Sequence, residues 1–138
     1  MGIGDAVNPV KEVALSELSK EFADKFAMVT WGTPGAEADE KIGVTLQLKN
    51  PLGDDLATAE RIRLTCTTGA TMSLQDAGNG TVLSGDDSDD LIIETDEATG
   101  QFDLEVSFAE AGTISVVGGA TQGSGLVGCR DVVDLVFA

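Results

Sequence analysis

The sequence predicts an all-β fold: an antiparallel β-sandwich of about seven strands, preceded by an N-terminal arm or short helix. Three observations predict it. Two segments, Ile42 to Ala57 and Leu91 to Val117, share one grammar, in which a period-two strand leads through a Gly-containing turn into another strand. Further short apolar alternations follow at the spacing of a sandwich, with turn residues between them. Finally, the 138 residues suit one domain large enough to bury a core without metal or disulfide staples, and with aromatics at 4% that core is mostly Val, Leu and Ile.

In chain order, Asn8 before Pro9 marks a helix start, because proline at the first helical position loses no hydrogen bond. Ala14, Leu18, Phe22 and Phe26 then recur every four residues, lining one face of a helix. Phe22, Phe26 and Met28 also fit a period of two. A short helix or arm over 9–24 and a strand over 26–31 reconcile the two patterns. The domain division is accordingly an arm over 1–25 and a sandwich over 26–138.

In the first cassette Val44, Leu46 and Leu48 alternate with Thr45, Gln47 and Lys49, until Asn50, Pro51 and Gly53 stop the strand. Further strands are expected over 62–67 and 71–74. In the second cassette a strand over 91–95 reaches a turn built on Asp96, Thr99 and Gly100. Phe102, Leu104, Val106 and Phe108 then alternate with Asp103, Glu105 and Ser107. Strands over 113–117 and 132–137 complete the set. The continuous run Leu91-Ile92-Ile93 fits a central strand or an end of the sandwich. Residues 76–90 read as a long loop with a short strand at 81–83, and residues 118–128 as a glycine-rich loop.

Charge bounds the partners. Acidic residues number 24 against 8 basic ones, a formal net charge of −16, which repels a phosphate backbone and argues against nucleic acid. Residues 1–66 hold seven of the basic residues and residues 67–138 only Arg130, so one end of the molecule is expected to be the more anionic. No stretch reaches the roughly 20 apolar residues that span a bilayer. The N-terminus lacks a secretory pattern, so a cytoplasmic origin and no membrane partner are expected.

The chain offers little chemistry for catalysis. Histidine and tyrosine are absent, which removes general-base triads and the commonest zinc ligand. Cys66 and Cys129 stand far apart with no activating base nearby in sequence, and read as small buried hydrophobes. No catalytic residue and no cofactor is assigned. Asp86, Asp87, Asp89 and Asp90 form the sharpest cluster and are a weak calcium candidate, but their spacing departs from the helical calcium loop, so a solvated loop is the simpler reading. Gly118, Gly119, Gly123 and Gly125 lack the helix and lysine of a phosphate cradle. Trp31 reads as either core or interface anchor.

The segments VTLQLKNPLGDDLATA with ERIRLTC, and ETDEATGQFDLEVSFAEAGTISVVGG, resemble the earlier and later halves of bacterial immunoglobulin-like modules. More narrowly, QLKN followed by TDEATGQFDLEVS resembles small immunoglobulin-like virion proteins of tailed bacteriophages, often head decoration or cement proteins. The resemblance spans roughly residues 26–117, about two thirds of the chain, and rests on turn chemistry. It implies an immunoglobulin-like sandwich and a non-enzymatic structural role at the capsid surface. It also implies the major capsid protein as partner and a possible homotrimer, the protein being made in the host cytoplasm. The segment before Phe26 has no counterpart in the resemblance. There Lys11, Leu18, Lys20, Phe22, Lys25 and Phe26 are the docking candidates, and the acidic second half would face outward. The alternatives are a tail-tube, tail-tip or head-fibre component, and a carbohydrate- or receptor-binding module. One Trp and no Tyr argue against a sugar platform.

Overall fold

A computed structural model of the chain describes residues 20–120 and 131–138. Nine strands are described: β1 Met28–Trp31, β2 Lys41–Lys49, β3 Arg61–Cys66, β4 Thr71–Leu74, β5 Thr81–Ser84, β6 Asp90–Glu94, β7 Gln101–Ser107, β8 Gly112–Ala120 and β9 Asp131–Phe137. They form two antiparallel sheets, ordered β1-β2-β7-β4 and β5-β6-β3-β8-β9. The fold is an all-β sandwich. The number of strands exceeds the expected seven because β1 and the short β5 add edges.

Alternation builds the core as expected. Leu46, Leu48, Phe102 and Leu104 project from one sheet, and Ile62, Leu64, Leu91 and Ile93 from the other, all fully buried. The run Leu91-Ile92-Ile93 belongs to a strand between β5 and β3, with Ile92 only half-buried on the opposite face. Trp31 is half-buried against the core, and its indole Nε1 donates to the Asp131 carbonyl of β9 at 3.2 Å, so it ties the two sheets at their edge.

The two cassettes prove to be crossings between sheets. β2 and β3 lie in opposite sheets, and so do β6 and β7. Thr95, 3% exposed, joins the two crossings: its Oγ1 donates to the Thr58 carbonyl at 2.7 Å and accepts from the Glu60 amide at 2.9 Å. The Asp96–Gly100 turn forms as expected, with the Gly100 amide donating to the Asp96 carbonyl at 2.7 Å and Ala98 capped by Asp96 Oδ1.

One expectation needs correction. Residues 118–120 are not loop: they continue β8, with Leu64 opposite Gly118 and Ile62 opposite Ala120. Gly118 is closely packed, since a Cβ there would stand 3.0 Å from Val29 Cγ1 and 3.3 Å from Leu64 Cδ2, tighter than ordinary contact. Residues 121–128 of that expected loop lie outside the described residues. Of the expected arm or helix, residues 1–19 also lie outside them, and what is described is one helical turn over 20–23, closed by the Asp24 amide on the Lys20 carbonyl at 2.8 Å.

Candidate functional site

The registers define two ends of the sandwich. At one end lie the helical turn, the crossing after β2, the turn after β4 and the crossing after β6. At the other lie the loop before β2 and the turns after β3, β5 and β7. There the Phe108 amide donates to the Glu40 carbonyl and the Cys66 amide to the Asp89 carbonyl, both at 3.0 Å.

Asn50 organises the first end. It is 1% exposed, and a buried amide must satisfy its polar atoms. Its Oδ1 accepts from the Leu52 and Asp54 amides at 2.9 and 3.0 Å, which shapes the turn around Gly53. Its Nδ2 donates to Asp24 Oδ1 at 2.6 Å, which clasps the helical turn onto the sandwich. That amide, with the Lys20 ammonium, holds the Asp24 carboxyl below the usual carboxylate value, against the opposing effect of desolvation. Lys20 reaches Asp24 at 3.2 Å and Asp54 at 4.0 Å, exposed pairs that fix geometry more than stability.

The clasp displays apolar surface. The rings of Phe22 and Phe26 lie 4.8 Å apart, with Phe26 half-buried and Phe22 66% exposed; Leu52, in the turn that Asn50 shapes, is 60% exposed. Among the docking candidates, Lys20, Phe22, Lys25 and Phe26 are thus brought together here. Lys11 and Leu18 lie outside the described residues. Sequence reading missed Leu52 and the Asn50–Asp24 clasp; the available signal was an apolar residue between the Pro and Gly of a turn, where burial is not expected.

The second end is acidic from both halves of the sequence. Glu37, Asp39, Glu40, Asp86, Asp87, Asp89 and Glu110 collect there. Lys41 is the one described cation at this end, and it pairs with Glu105 at 3.5 Å. The first end carries acidic residues as well, among them Glu21, Asp24, Asp54, Asp55, Asp76, Asp96 and Glu97, so the two ends differ mainly in the lysines Lys20, Lys25 and Lys49 at the first. Asp90 leaves the acidic cluster. Its carboxylate takes a bidentate pair from Arg63, Nε to Oδ1 at 2.9 Å and Nη2 to Oδ2 at 2.6 Å, which lowers its pKa and raises that of Arg63. Among the described residues no group of three or more acidic or cysteine side chains is placed to hold a metal ion.

The outer face of the four-stranded sheet carries a polar network. Thr45 Oγ1 donates to Asp103 Oδ1 at 2.6 Å, Asn79 Nδ2 to Asp103 Oδ2 at 3.1 Å and Gln101 Nε2 to Gln47 Oε1 at 2.9 Å. Beside it is a groove of about 440 Å³ lined in part by Thr30, Trp31, Gln47, Lys49 and Gln101. Its donors are largely spent internally: Thr30 Oγ1 donates to the Gln47 carbonyl, and Gln47 Nε2 donates to the carbonyls of Leu48 and Thr99. Cys66 is half-buried, and desolvation, then the nearby Asp89 charge, pushes its thiol up to about 11. The nucleophilic thiolate is therefore scarce at neutral pH. Among the described residues no helix is long and apolar enough to cross a membrane.

No protein-family model matches this chain, and no curated protein matches it.

Proposed function

We propose that this is a structural virion protein, a capsid decoration or cement protein. It docks on the outer surface of the major capsid protein lattice through the end that carries Phe22 and Leu52. The observation that carries the reading is the contrast between the two ends of the sandwich. One displays two large apolar side chains, 66% and 60% exposed, among acidic residues interspersed with Lys20, Lys25 and Lys49; the other is acidic with Lys41 as its one described cation, and its loops show no comparably exposed large apolar side chain among the described residues. Large apolar groups held exposed by a buried polar clasp are surface that a partner covers. An acidic opposite end keeps decorated particles apart by mutual repulsion. The resemblance of residues 26–117 to phage head decoration proteins supplies the partner, and repetition over a symmetric lattice multiplies modest contacts.

The reading gives the protein no catalytic role. The test is cosedimentation of the full chain with purified shells of the virus that encodes it. Wild-type protein should bind in saturable fashion, and Phe22→Asp with Leu52→Asp should abolish binding while circular dichroism stays unchanged. Equal binding by the folded double variant would remove the docking assignment.

A further inference from the structure

We infer that Asn79 is a self-modification site: its side-chain amide is lost as ammonia when the Gly80 backbone nitrogen closes a ring on it, and Asp103 restrains this reaction in the folded protein. The inference goes beyond the capsid reading and does not depend on it. The chain has three asparagines, Asn8, Asn50 and Asn79. The first two precede Pro9 and Pro51, whose nitrogens carry no hydrogen and cannot attack the side chain. Asn79 alone is followed by an N–H, and it belongs to a glycine, whose missing Cβ leaves the approach to that nitrogen open. Among the described residues the Gly80 amide donates no hydrogen bond, so the nucleophile is not occupied. In the step, the Gly80 nitrogen bonds to Asn79 Cγ, the Cγ–Nδ2 bond breaks, and ammonia leaves with the Gly80 proton. Water then opens the cyclic imide. Breaking its Cγ–N bond leaves aspartate; breaking the bond to the backbone carbonyl leaves isoaspartate, with the main chain routed through Cβ.

The fold holds the leaving group. Asp103 of β7 accepts at Oδ2 from the Asn79 amide at 2.8 Å and from Asn79 Nδ2 at 3.1 Å, and Gln101 Oε1 accepts from Nδ2 at 3.3 Å. The Asp103 amide returns a bond to the Asn79 carbonyl at 3.0 Å. A carboxylate only accepts, so it pins the side chain by the very nitrogen that must depart. Its charge also opposes loss of the proton from the neighbouring Gly80 amide. The products cannot keep this arrangement. A carboxylate at position 79 sets acceptor against acceptor at Asp103 and Gln101, and two negative charges where there was one. Isoaspartate also lengthens the main chain beside Gly80, which has φ 101 and so little room that an added Cβ would stand 2.5 Å from Phe102 Cδ2. Asn79 and Gly80 lead into β5 of one sheet, whereas Phe102 and Asp103 belong to β7 of the other. Conversion therefore loosens a tie between the sheets at the β5 edge.

Peptide mass spectrometry of the full chain, incubated at mildly alkaline pH in buffer and in urea, tests the inference. In urea Asn79 should convert to a mixture of aspartate and isoaspartate, while Asn8 and Asn50 stay intact. In buffer the conversion should be slower by about tenfold or more. Asp103→Ala should raise the folded rate toward that in urea, whereas Asn50→Ala, which weakens the fold without touching Asp103, should not. Asn79→Asp makes one product directly. It should melt below wild type at neutral pH, and the gap should shrink in acid, where the facing carboxylates protonate. This variant and the ratio of rates in urea and buffer decide the matter if Asp103→Ala does not fold. No conversion at position 79 in urea, equal rates in urea and buffer, or equal acceleration by Asn50→Ala and Asp103→Ala would overturn the inference.

Discussion

Gly100 packs against the carbonyl of Leu56, so that a Cβ at position 100 would overlap that oxygen. The two residues belong to the two cassettes, and their contact locks one sheet crossing onto the other. Gly100 also has φ 68, and its carbonyl accepts from the Leu48 amide at 2.9 Å. Gly53 provides the comparison, because it has φ 87 with nothing within 4 Å of an added Cβ. Gly100→Ala is expected to cost more than about 2 kcal/mol, through left-handed backbone and overlap together, and Gly53→Ala about 1 kcal/mol through the backbone alone. Chemical denaturation of the two variants measures the difference.

The strands were legible in the sequence, and the crossings were not. Val44 to Lys49 and Phe102 to Ser107 alternate so regularly that their faces could be assigned from the pattern, and burial follows it residue by residue; Phe108, beyond the strand, is only half-buried. Turn chemistry, by contrast, is local. Asp96, Thr99 and Gly100 say that the chain reverses, but not whether it returns to the same sheet. Gly118 and Gly119 read as loop because a missing side chain has the same appearance whether it frees the backbone or makes room for Val29. The candidate docking end was half legible. Phe22 and Lys20 stood out by periodicity and charge, whereas Leu52 and the Asn50–Asp24 clasp join segments 26 residues apart and depend on tertiary structure.

The turn before β2 is built from residues ill suited to it. Ala38 and Lys41 exchange two backbone hydrogen bonds of 3.0 Å around Asp39 and Glu40, with φ 52 and 64. Two consecutive positive angles define a type I′ turn, which favours Asn-Gly. The double substitution Asp39→Asn, Glu40→Gly is expected to stabilise the fold by about 1 kcal/mol, after allowing for the greater freedom of glycine in the unfolded chain. A rise in melting temperature checks it.

Acid should loosen the clasp and the Arg63 pair together. The Asn50 amide and Lys20 hold the Asp24 carboxyl, and the Arg63 guanidinium the Asp90 carboxyl, below the usual carboxylate value. A depressed carboxylate contributes stability that is fully present above the unfolded pKa and is lost as pH falls through the folded one. Melting temperature should therefore fall as pH drops below about 4, and less steeply in Asp24→Ala and Asp90→Ala than in wild type. Identical slopes in all three proteins would exclude these carboxylates as the cause.

Asn50→Ala removes both acceptor bonds of the turn and the donor to Asp24 from a buried position. The expected loss is about 2 kcal/mol or more, because two amides lose a partner in a site with little access to water. Protease cleavage within the 20–27 segment should accelerate in this variant relative to cleavage elsewhere. Unchanged cleavage there would show that the clasp does not hold the helical turn.

Cys66 should be a slow thiol in the native protein. With its pKa near 11 and its Sγ donating to the Ala70 carbonyl at 3.7 Å, it should react with a disulfide reagent at pH 8 far more slowly than the same residue after unfolding. The measurement is made in a Cys129→Ser background.

Cryo-electron microscopy of the assembled particle tests the decoration reading most directly. The account predicts sandwich density on the outer surface of the head, with Phe22 and Leu52 against the shell and the end bearing Asp39, Asp86 and Glu110 turned to solvent. Density on the tail, or the acidic end seated against the shell, would contradict it.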